Sequence, residues 1–371
     1  FLPTNLYLYS LNFNDTYMKS KLLFLLLLLG SSYISAQTVI ENPPFETRQG
    51  SIHTISKIEL SPTETRLTIR TVFRPQWWTS LDSLTYIYAP ESKKQLYPLR
   101  IEGRKFGEQV TTPASGIIED DCVITYPPLP EGTTRIDNLN SETNTYGILL
   151  VKPQETKEQA SLRKIHGNWQ QADAQNGWDI GIYDSLAIMD NRFWKYDLCR
   201  KQGKKFKLNL KDETGEQCLL EITQEKDGNL CIGKNGGKAN KYIRAGRPQR
   251  NYAATTAATA PQTAFFRKDT VHIRGFLDGY SPKLGFTTVL IYTDNHITNE
   301  GTPAVVTIHP DGRFESDFVV NYPGVHHLSM GNNWMTFYIR PGETLMLYIN
   351  WEDHLDYLRQ RRLKPMLTES L

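Results

Sequence analysis

Hydrophobic and polar residues alternate with a period of two along most of this chain. Leu67, Ile69 and Thr71 alternate with Thr68 and Arg70, and Phe206 and Leu208 begin a similar run. This alternation is typical of half-buried β-strands, because successive side chains of a strand point to opposite faces. The sequence therefore predicts an all-β, mainly antiparallel fold.

Turn-forming residues lie between the predicted strands. They occur at residues 213–215 (ETG), 226–229 (KDGN) and 310–312 (PDG). Asp-Gly pairs supply the backbone conformations that tight turns require. We therefore predict a hairpin at each position, the last one joining residues 304–308 to residues 314–320.

A helical pattern is scarce. The best candidate covers residues 353–363, which follow Trp351 and end before Pro365. Proline removes a backbone donor and clashes with the preceding helical turn, so the helix is expected to stop there.

The amino-terminal region resembles an export signal that begins at Met18. Lys19 and Lys21 precede the apolar residues 22–29, a run too short to span a bilayer, with a cleavage site expected before Gln37. We interpret residues 18–36 as a cleaved signal peptide, with a lone membrane anchor as the alternative, and residues 1–17 as a translated upstream segment. The chain is then expected to be exported to the periplasm or cell envelope, with no membrane span after signal removal.

Composition divides the remaining chain into several regions. We predict a β-sandwich domain at 38–155, a β-rich domain at 160–245, a small-residue linker at 246–265, a second β-sandwich domain at 266–352 and a helical, truncated tail at 353–371. The expected architecture is a tandem of β-sandwich or small barrel domains with a short C-terminal helix. Trp169, Trp178 and Trp194 predict an aromatic core in the second domain.

Charge limits the classes of partner. The whole chain carries a formal charge of +2, and the loss of residues 1–36, with Asp15, Lys19 and Lys21, leaves +1. A dedicated nucleic-acid binder needs a basic face, so we expect no nucleic-acid partner. The local basic cluster at the C-terminus is expected to be a solvated helix face. It comprises Arg359, Arg361, Arg362 and Lys364.

The four cysteines lie far apart and form no C-x-x-C pair. They are Cys122, Cys199, Cys218 and Cys231. If Asp227 and Gly228 form a tight turn, Cys231 faces Gln224 and lies about 20 Å from Cys218 along the hairpin, too far for a disulfide. We expect buried free thiols.

Catalytic motifs are absent from the sequence. We find no G-x-S-x-G, H-E-x-x-H or G-x-G-x-x-G. Residues 233–238 (GKNGGK) lack the glycine, lysine and Ser/Thr positions of a phosphate-binding loop, so we predict a glycine-rich turn. Gly167-x-Trp169 resembles the opening of a lipocalin strand, but the region is short for an eight-stranded barrel that holds a ligand.

Three further groupings have a structural and a functional interpretation. His326 and His327 should face opposite sides of a strand, which disfavours a shared metal. Residues 119–121 (EDD) could bind a cation or supply a general acid, but a solvated turn is favoured. Trp77 and Trp78 could contact sugar or protein, although burial of both rings by a neighbouring segment is favoured.

Several blocks resemble the amino-terminal, non-thioredoxin region of TlpA-like thiol-disulfide oxidoreductases of Bacteroidota. They are residues 42–48 (NPPFETR), 58–61 (IELS), 73–78 (FRPQWW), 126–130 (YPPLP), 167–169 (GNW), 183–188 (YDSLAI), 193–196 (FWKY), 338–344 (YIRPGET) and 350–353 (NWED). The resemblance covers roughly residues 40–362. It implies that a thioredoxin domain with W-C-x-x-C follows, whereas residues 364–371 no longer resemble the family.

This resemblance implies a non-catalytic accessory or recognition region of an envelope oxidoreductase, truncated before its redox domain. Expected partners are a client protein or a tethered thioredoxin domain. The alternative is a complete secreted protein that binds glycan or protein through exposed aromatic side chains. We predict no enzyme activity and no cofactor, and we assign no catalytic, cofactor-binding or metal-binding residue.

Overall fold

The computed structural model describes residues 38–140, 143–151, 156–173, 178–245, 266–295, 298, 300–331 and 333–363. Within these residues the fold is all-β, with antiparallel sheets, a closed barrel and a short C-terminal helix, which confirms the predicted fold class. The predicted upstream segment (1–17), signal peptide (18–36) and linker (246–265) lie outside the described residues. No helix in the described part of the chain is long and apolar enough to cross a bilayer.

The chain forms two compact units. One contains the described residues up to Val151 together with those from Glu352 onwards, and the other runs from Lys152 to Trp351. The helical tail predicted at 353–371 thus joins the first unit by its contacts.

The first unit is built on a β-sandwich, here called the first sandwich. Its strands are β1 (Thr38–Glu41), β2 (Thr47–Arg48), β3 (His53–Leu60), β4 (Thr65–Val72), β5 (Trp78–Thr79), β6 (Tyr86–Ala89), β7 (Lys94–Leu96), β8 (Arg100–Glu102), β9 (Val110–Thr111), β10 (Ile117–Tyr126), β11 (Arg135–Leu139) and β12 (Thr145–Leu149). Two five-stranded sheets, β1-β3-β4-β10-β8 and β2-β12-β11-β6-β7, enclose one core, and β5 and β9 form a separate two-stranded sheet. The core side chains include Ile58, Leu67, Ile87, Ile124 and Ile136.

A short helix, α1, covers Lys157–Leu162. The C-terminal helix, α2, covers Trp351–Leu363 and starts two residues before the predicted position. It packs on the first sandwich, where the buried Arg48 guanidinium pairs with the Glu352 carboxylate. The Ser51 hydroxyl also donates to the carbonyl of Leu355, whose side chain is buried.

The second unit begins with a closed eight-stranded barrel. Its strands are β13 (Gly167–Gln171), β14 (Ile180–Ile182), β15 (Leu186–Met189), β16 (Arg192–Gln202), β17 (Lys205–Lys211), β18 (Gln217–Gln224), β19 (Leu230–Lys234) and β20 (Asn240–Arg244). They pair in chain order, and β20 closes on β13. The sequence analysis judged this region short for an eight-stranded barrel that holds a ligand. Eight strands nevertheless close here, because several of them are only three to five residues long.

Side chains fill the interior of the barrel. Trp169, Trp194 and Phe206 are almost fully buried in its core. Trp178 instead packs, partly buried, against a neighbouring cluster around Tyr183. The predicted aromatic core is therefore formed by two of the three tryptophans.

The second unit ends in another sandwich, here called the second sandwich. Its strands are β21 (Asp269–Asp278), β22 (Thr288–Asn295), β23 (Glu300–Thr307), β24 (Arg313–Val320), β25 (Gly324–Met330), β26 (Asn333–Ile339) and β27 (Thr344–Asn350), with a 3₁₀ turn at Pro282–Leu284. The sheets are β24-β21-β27 and β23-β22-β25-β26, and β21 pairs in parallel with β27.

Two of the three predicted hairpins are confirmed. β17 pairs with β18 across residues 212–216, and β18 pairs with β19 across residues 225–229. The third was wrong, because the turn at residues 310–312 carries the chain from β23 in one sheet to β24 in the other.

Candidate functional site

The four-stranded sheet of the second sandwich exposes a row of aromatic side chains. Trp334, Thr336 and Tyr338 share one face of β26, while the intervening residues point inward. Across the sheet, Ser329 lies opposite Trp334, and Val325 lies opposite Tyr338. Because directly opposed residues share a face, this side of the sheet carries both aromatic and aliphatic groups.

The same face continues onto β22 and β23. Tyr292 lies opposite His327, and its ring stacks on Trp334 with centroids 5.1 Å apart and planes 27° apart. Val305 on β23 is exposed as well. We call the surface formed by Tyr292, Val305, Val325, Trp334 and Tyr338 the aromatic face.

Exposure distinguishes the aromatic face from an ordinary core. Trp334 is 59% exposed and Tyr338 is 53% exposed. Contiguous exposed apolar patches mark interaction surfaces far more often than isolated apolar residues do. The sequence analysis missed this surface, although a strand that is apolar on both faces, as β26 is, was an available signal.

A second exposed aromatic pair lies on the loop that leads into β5. Trp77 is 43% exposed and Trp78 is 49% exposed. The expectation that both rings are buried was wrong, because the two-residue strand β9 is the partner of β5 and leaves the rings uncovered. The Arg74 guanidinium lies 5.7 Å from the Trp77 ring centroid, in a cation–π contact.

The backbone holds this loop firmly. The Thr112 amide donates to the Trp77 carbonyl at 2.9 Å, and the Trp77 amide donates to the Arg74 carbonyl at 3.1 Å. Gln76 adopts a positive φ of 57°. A loop fixed in this way loses little conformational entropy on binding a ligand.

A buried polar network lies within the first sandwich. Asp121 accepts hydrogen bonds from Arg104 Nη1 at 2.7 Å and from the Thr71 hydroxyl at 2.6 Å. His53 Nδ1 lies 2.9 Å from the Thr71 hydroxyl, and His53 Nε2 lies 3.3 Å from the Thr79 hydroxyl. The expectation of a solvated turn at residues 119–121 was wrong for Asp121, because a β-bulge between Ile118 and Cys122 turns its side chain inward.

This network borders a cleft of about 260 Å³ lined by His53 and polar residues that include Ser80 and Asn140. Burial and the nearby Arg104 charge lower the pKa of His53 to about 4, against an ordinary value of 6.5. His53 is therefore neutral at neutral pH, and both ring nitrogens already have hydroxyl partners. The Thr79 hydroxyl beside Nε2 belongs to a buried residue, so this arrangement stabilises the fold rather than presenting a nucleophile to solvent.

The cysteines are free thiols on separate strand positions. Cys122 and Cys218 are buried, whereas Cys199 and Cys231 are half-buried, so the expectation of burial was wrong for two of them. Cys231 lies opposite Thr223 rather than Gln224, which shifts the predicted register by one residue. Burial raises the pKa of the Cys122 thiol to about 12, and a hydrogen bond to Glu225 raises the pKa of Cys231.

The other residues that the sequence singled out lie at separate positions in the fold. His326 is buried, and His327 lies on the opposite face of β25, as predicted. No group of three His, Cys, Asp or Glu side chains suited to a metal occurs in the described ranges. The glycine-rich segment after β19 is the predicted turn, since β19 pairs with β20 across it.

The basic cluster on α2 is only partly solvated. Arg361 is exposed, Arg359 and Arg362 are half-buried, and Lys364 lies outside the described residues. Arg359 pairs with Asp356 at 2.6 Å. The expectation of a uniformly solvated face was therefore wrong for Arg359 and Arg362.

Comparisons with known proteins leave the family open. No protein-family model matches the chain, and no curated protein matches it. Among solved structures, the pullulanase from Bacillus acidopullulyticus aligns at a TM-score of 0.16 and 8% identity, over 79% of this chain and 34% of the enzyme. The alignment thus spans about a third of the enzyme, and a TM-score of that size carries no argument about fold or function.

Proposed function

We propose that this chain is a non-catalytic recognition region of an exported, thioredoxin-like envelope protein, and that it binds client polypeptides. The observation that carries the proposal is the aromatic face of the second sandwich. It presents stacked and neighbouring rings on a sheet in which β26 is an edge strand among the described residues. The resemblance to the amino-terminal region of TlpA-like proteins supports an accessory role in the periplasm or cell envelope.

The chemistry of the aromatic face suits an extended, unfolded polypeptide. Its cross-strand rows place Val305 beside Leu290, and Trp334 beside Ser329. At the end of β26 the Arg340 guanidinium lies 5.9 Å from the Tyr338 ring centroid. β26 is an edge strand, so its outer backbone groups can pair with an added strand. An incoming chain would bury apolar side chains on the rings and extend the sheet.

Binding of carboxymethylated α-lactalbumin, a permanently unfolded polypeptide, tests this function. We expect Trp334→Ala and Tyr338→Ala to weaken binding at least tenfold each, because loss of an interface aromatic costs about 1.4 kcal/mol or more. Tyr97→Ala is the matched control, since Tyr97 is equally exposed on the first sandwich. Binding that is absent, or unchanged in both aromatic-face variants, contradicts the proposal.

We also infer that this polypeptide performs no thiol–disulfide exchange by itself. The raised thiol pKa values of Cys122, Cys218 and Cys231 support this, because the thiolate is the reactive form. Insulin reduction by dithiothreitol should proceed at the same rate with and without the purified chain. A dithiol-dependent acceleration would refute the inference.

A second function, glycan binding, is favoured by the exposed Trp77 and Trp78 rings. The face of an aromatic ring carries partial negative charge and attracts the slightly positive C–H groups of a sugar. A Trp77→Ala variant should lose any glycan binding that the intact chain shows on a glycan array. Binding that survives this substitution would place the glycan elsewhere.

A further inference from the structure

The end of helix α2 lies against the loop that carries Trp77. A methyl group built on Gly116 would meet the Leu363 side chain, the Phe73 carbonyl and the Pro75 ring, so these groups converge at one point. The Phe73 amide donates to the Gly116 carbonyl at 2.9 Å. This joint brings the last turn of α2 next to Arg74.

Two arginines, Arg74 and Arg362, lie at this joint. Among the residues that the structure describes, no carboxylate lies within ion-pair distance of Arg74 or Arg362. Other arginines of the same unit are paired, such as Arg48 with Glu352 and Arg359 with Asp356. Burial and the charge of Arg74 lower the pKa of Arg362. Two like charges held together repel each other, and an anion placed between them would lower the free energy of the pair.

The aromatic rings at the same place restrict the kind of anion. Arg74 is exposed and stacks against Trp77, while Trp78 follows immediately in β5. A ring face binds the C–H groups of a sugar, whereas an arginine fork binds carboxylate or sulfate oxygens through paired N–H groups. A free inorganic anion would use the arginines and leave the rings bare.

We propose that Arg74 and Arg362, together with Trp77, bind a polysaccharide whose sugars carry carboxylate or sulfate groups. The ring orders one sugar by stacking, and the two guanidinium groups hold its anionic substituent. This inference rests on the second function above and specifies its substrate class. It is independent of the aromatic face of the second sandwich.

Binding of the full chain to two pairs of polymers, each with one charged and one uncharged member, tests the proposal. Polygalacturonate is compared with its methyl ester, and dextran sulfate with dextran, by affinity electrophoresis or calorimetry. We expect at least tenfold tighter binding to the charged member of one pair or both, and that pair identifies the anion as carboxylate or sulfate. Because screened charges attract less, this preference should shrink as NaCl is raised from 0.05 to 0.5 M.

Matched variants locate the site. Arg74→Gln and Arg362→Gln should each weaken binding to the charged polymer at least tenfold and leave the near-UV circular dichroism unchanged. Arg361→Gln removes the same charge from the exposed neighbouring position and should change affinity less than twofold. Equal weakening by Arg361→Gln would reduce the effect to general electrostatic attraction and overturn the proposal.

The remaining outcomes separate the inference from the function on which it rests. Trp77-dependent binding that is equally tight for charged and uncharged polymers keeps glycan binding and overturns the anionic site. Absence of binding to all four polymers overturns the anionic site, whereas the glycan array described above decides the glycan function by itself. Sodium sulfate is also added as a competitor for the bound polymer. If free sulfate displaces the polymer as effectively as unlabelled polymer does, the anion site does not use the rings, and the carbohydrate assignment is overturned.

Discussion

The Arg104 guanidinium donates from Nη1 to Asp121 Oδ2 at 2.7 Å, and both side chains are almost completely buried. Arg104 also donates from Nη2 to the carbonyls of Thr79 and Glu108. One cation thus ties β10 to β5 and to the loop before β9. A buried pair of this kind is costly to break, because removal of one partner leaves the other charge buried and alone.

Asp121→Asn should destabilise the first sandwich by about 3 kcal/mol or more. Hydrogen–deuterium exchange of β4 and β10 in the full chain measures this, since it reports local opening without assuming that all modules unfold together. Glu119→Gln is the control, because the Glu119 side chain is largely exposed and its partner Arg70 is partly exposed. The control should cost less than about 1 kcal/mol. Equal costs in the two variants would contradict a special role for the buried pair.

His53 should make the first sandwich less stable in acid. Its folded pKa of about 4 is below the unfolded value of 6.5, so the unfolded state binds more protons in this window. Stability is complete above about pH 6.5 and falls as the pH approaches 4, by about 3 kcal/mol in total. Exchange of β3 amides at several pH values measures the loss.

The His53→Gln variant isolates this effect from other titrating groups. A carboxylate of the same sandwich, Glu91, also has a lowered pKa, through its hydrogen bond with Thr134, and weakens the fold in acid in every variant. The difference between the parent chain and His53→Gln should therefore carry the histidine contribution alone. Parallel pH profiles for the two proteins would show that His53 does not titrate as stated.

Gly116→Ala should loosen the joint between α2 and the first sandwich. Gly116 has a φ of 71°, and an added methyl group would overlap the Phe73 carbonyl and lie 2.6 Å from Leu363 Cδ2. Gly107→Ala is the matched control, because Gly107 has a φ of 74° with open space around it. The control carries backbone strain alone, about 1 kcal/mol. Limited proteolysis of α2 should be faster in Gly116→Ala than in Gly107→Ala, and equal rates would contradict the steric account.

Gly275→Ala should destabilise the second sandwich. Gly275 lies opposite Phe314, whose ring occupies the space above the glycine, so a methyl group there would overlap the ring. Overpacking of this kind costs about 1–3 kcal/mol. Gly324→Ala, with its nearest neighbours at 3.6 Å, should be nearly neutral. Exchange of β21 amides reports both effects.

A rescue experiment tests whether overlap with the Phe314 ring causes the destabilisation by Gly275→Ala. Phe314→Leu removes the ring atoms that meet the new methyl group, so the double variant should be more stable than the sum of the two single changes predicts. Strict additivity would show that ring overlap is not the source of the Gly275→Ala cost.

The local pattern of apolar and polar residues correctly predicted several of the strands and the end of the C-terminal helix. The alternation at Leu67 and Ile69 lies in β4, the alternation at Phe206 lies in β17, and helix α2 ends at Leu363 before Pro365, as predicted. These features depend on neighbours within a few residues, which is the range over which periodicity and turn chemistry act. A small barrel was among the predicted architectures, but its eight strands were not resolved, because strands as short as Ile180–Ile182 contain too few residues to show alternation.

The candidate surfaces depended on contacts that are distant in sequence. Asp121 is buried because a bulge changes its orientation and because Arg104 and Thr71 meet it there. Trp77 and Trp78 are exposed, and β9 is the one strand that pairs with β5 within the described part of the chain. A short segment of sequence predicts neither the inward orientation of a carboxylate nor the lack of a neighbouring strand.

The parallel pairing of β21 with β27 also bears on synthesis. His272 aligns with Thr344, and the pairing ends with Asp278 beside Asn350. The ribosome must therefore release the whole of β27 before β21 gains its second neighbour. The barrel strands, which pair with the next strand in the chain, can form most of their ladders while translation continues. We thus expect nascent chains halted before Thr344 to hold a folded barrel and an unfinished second sandwich.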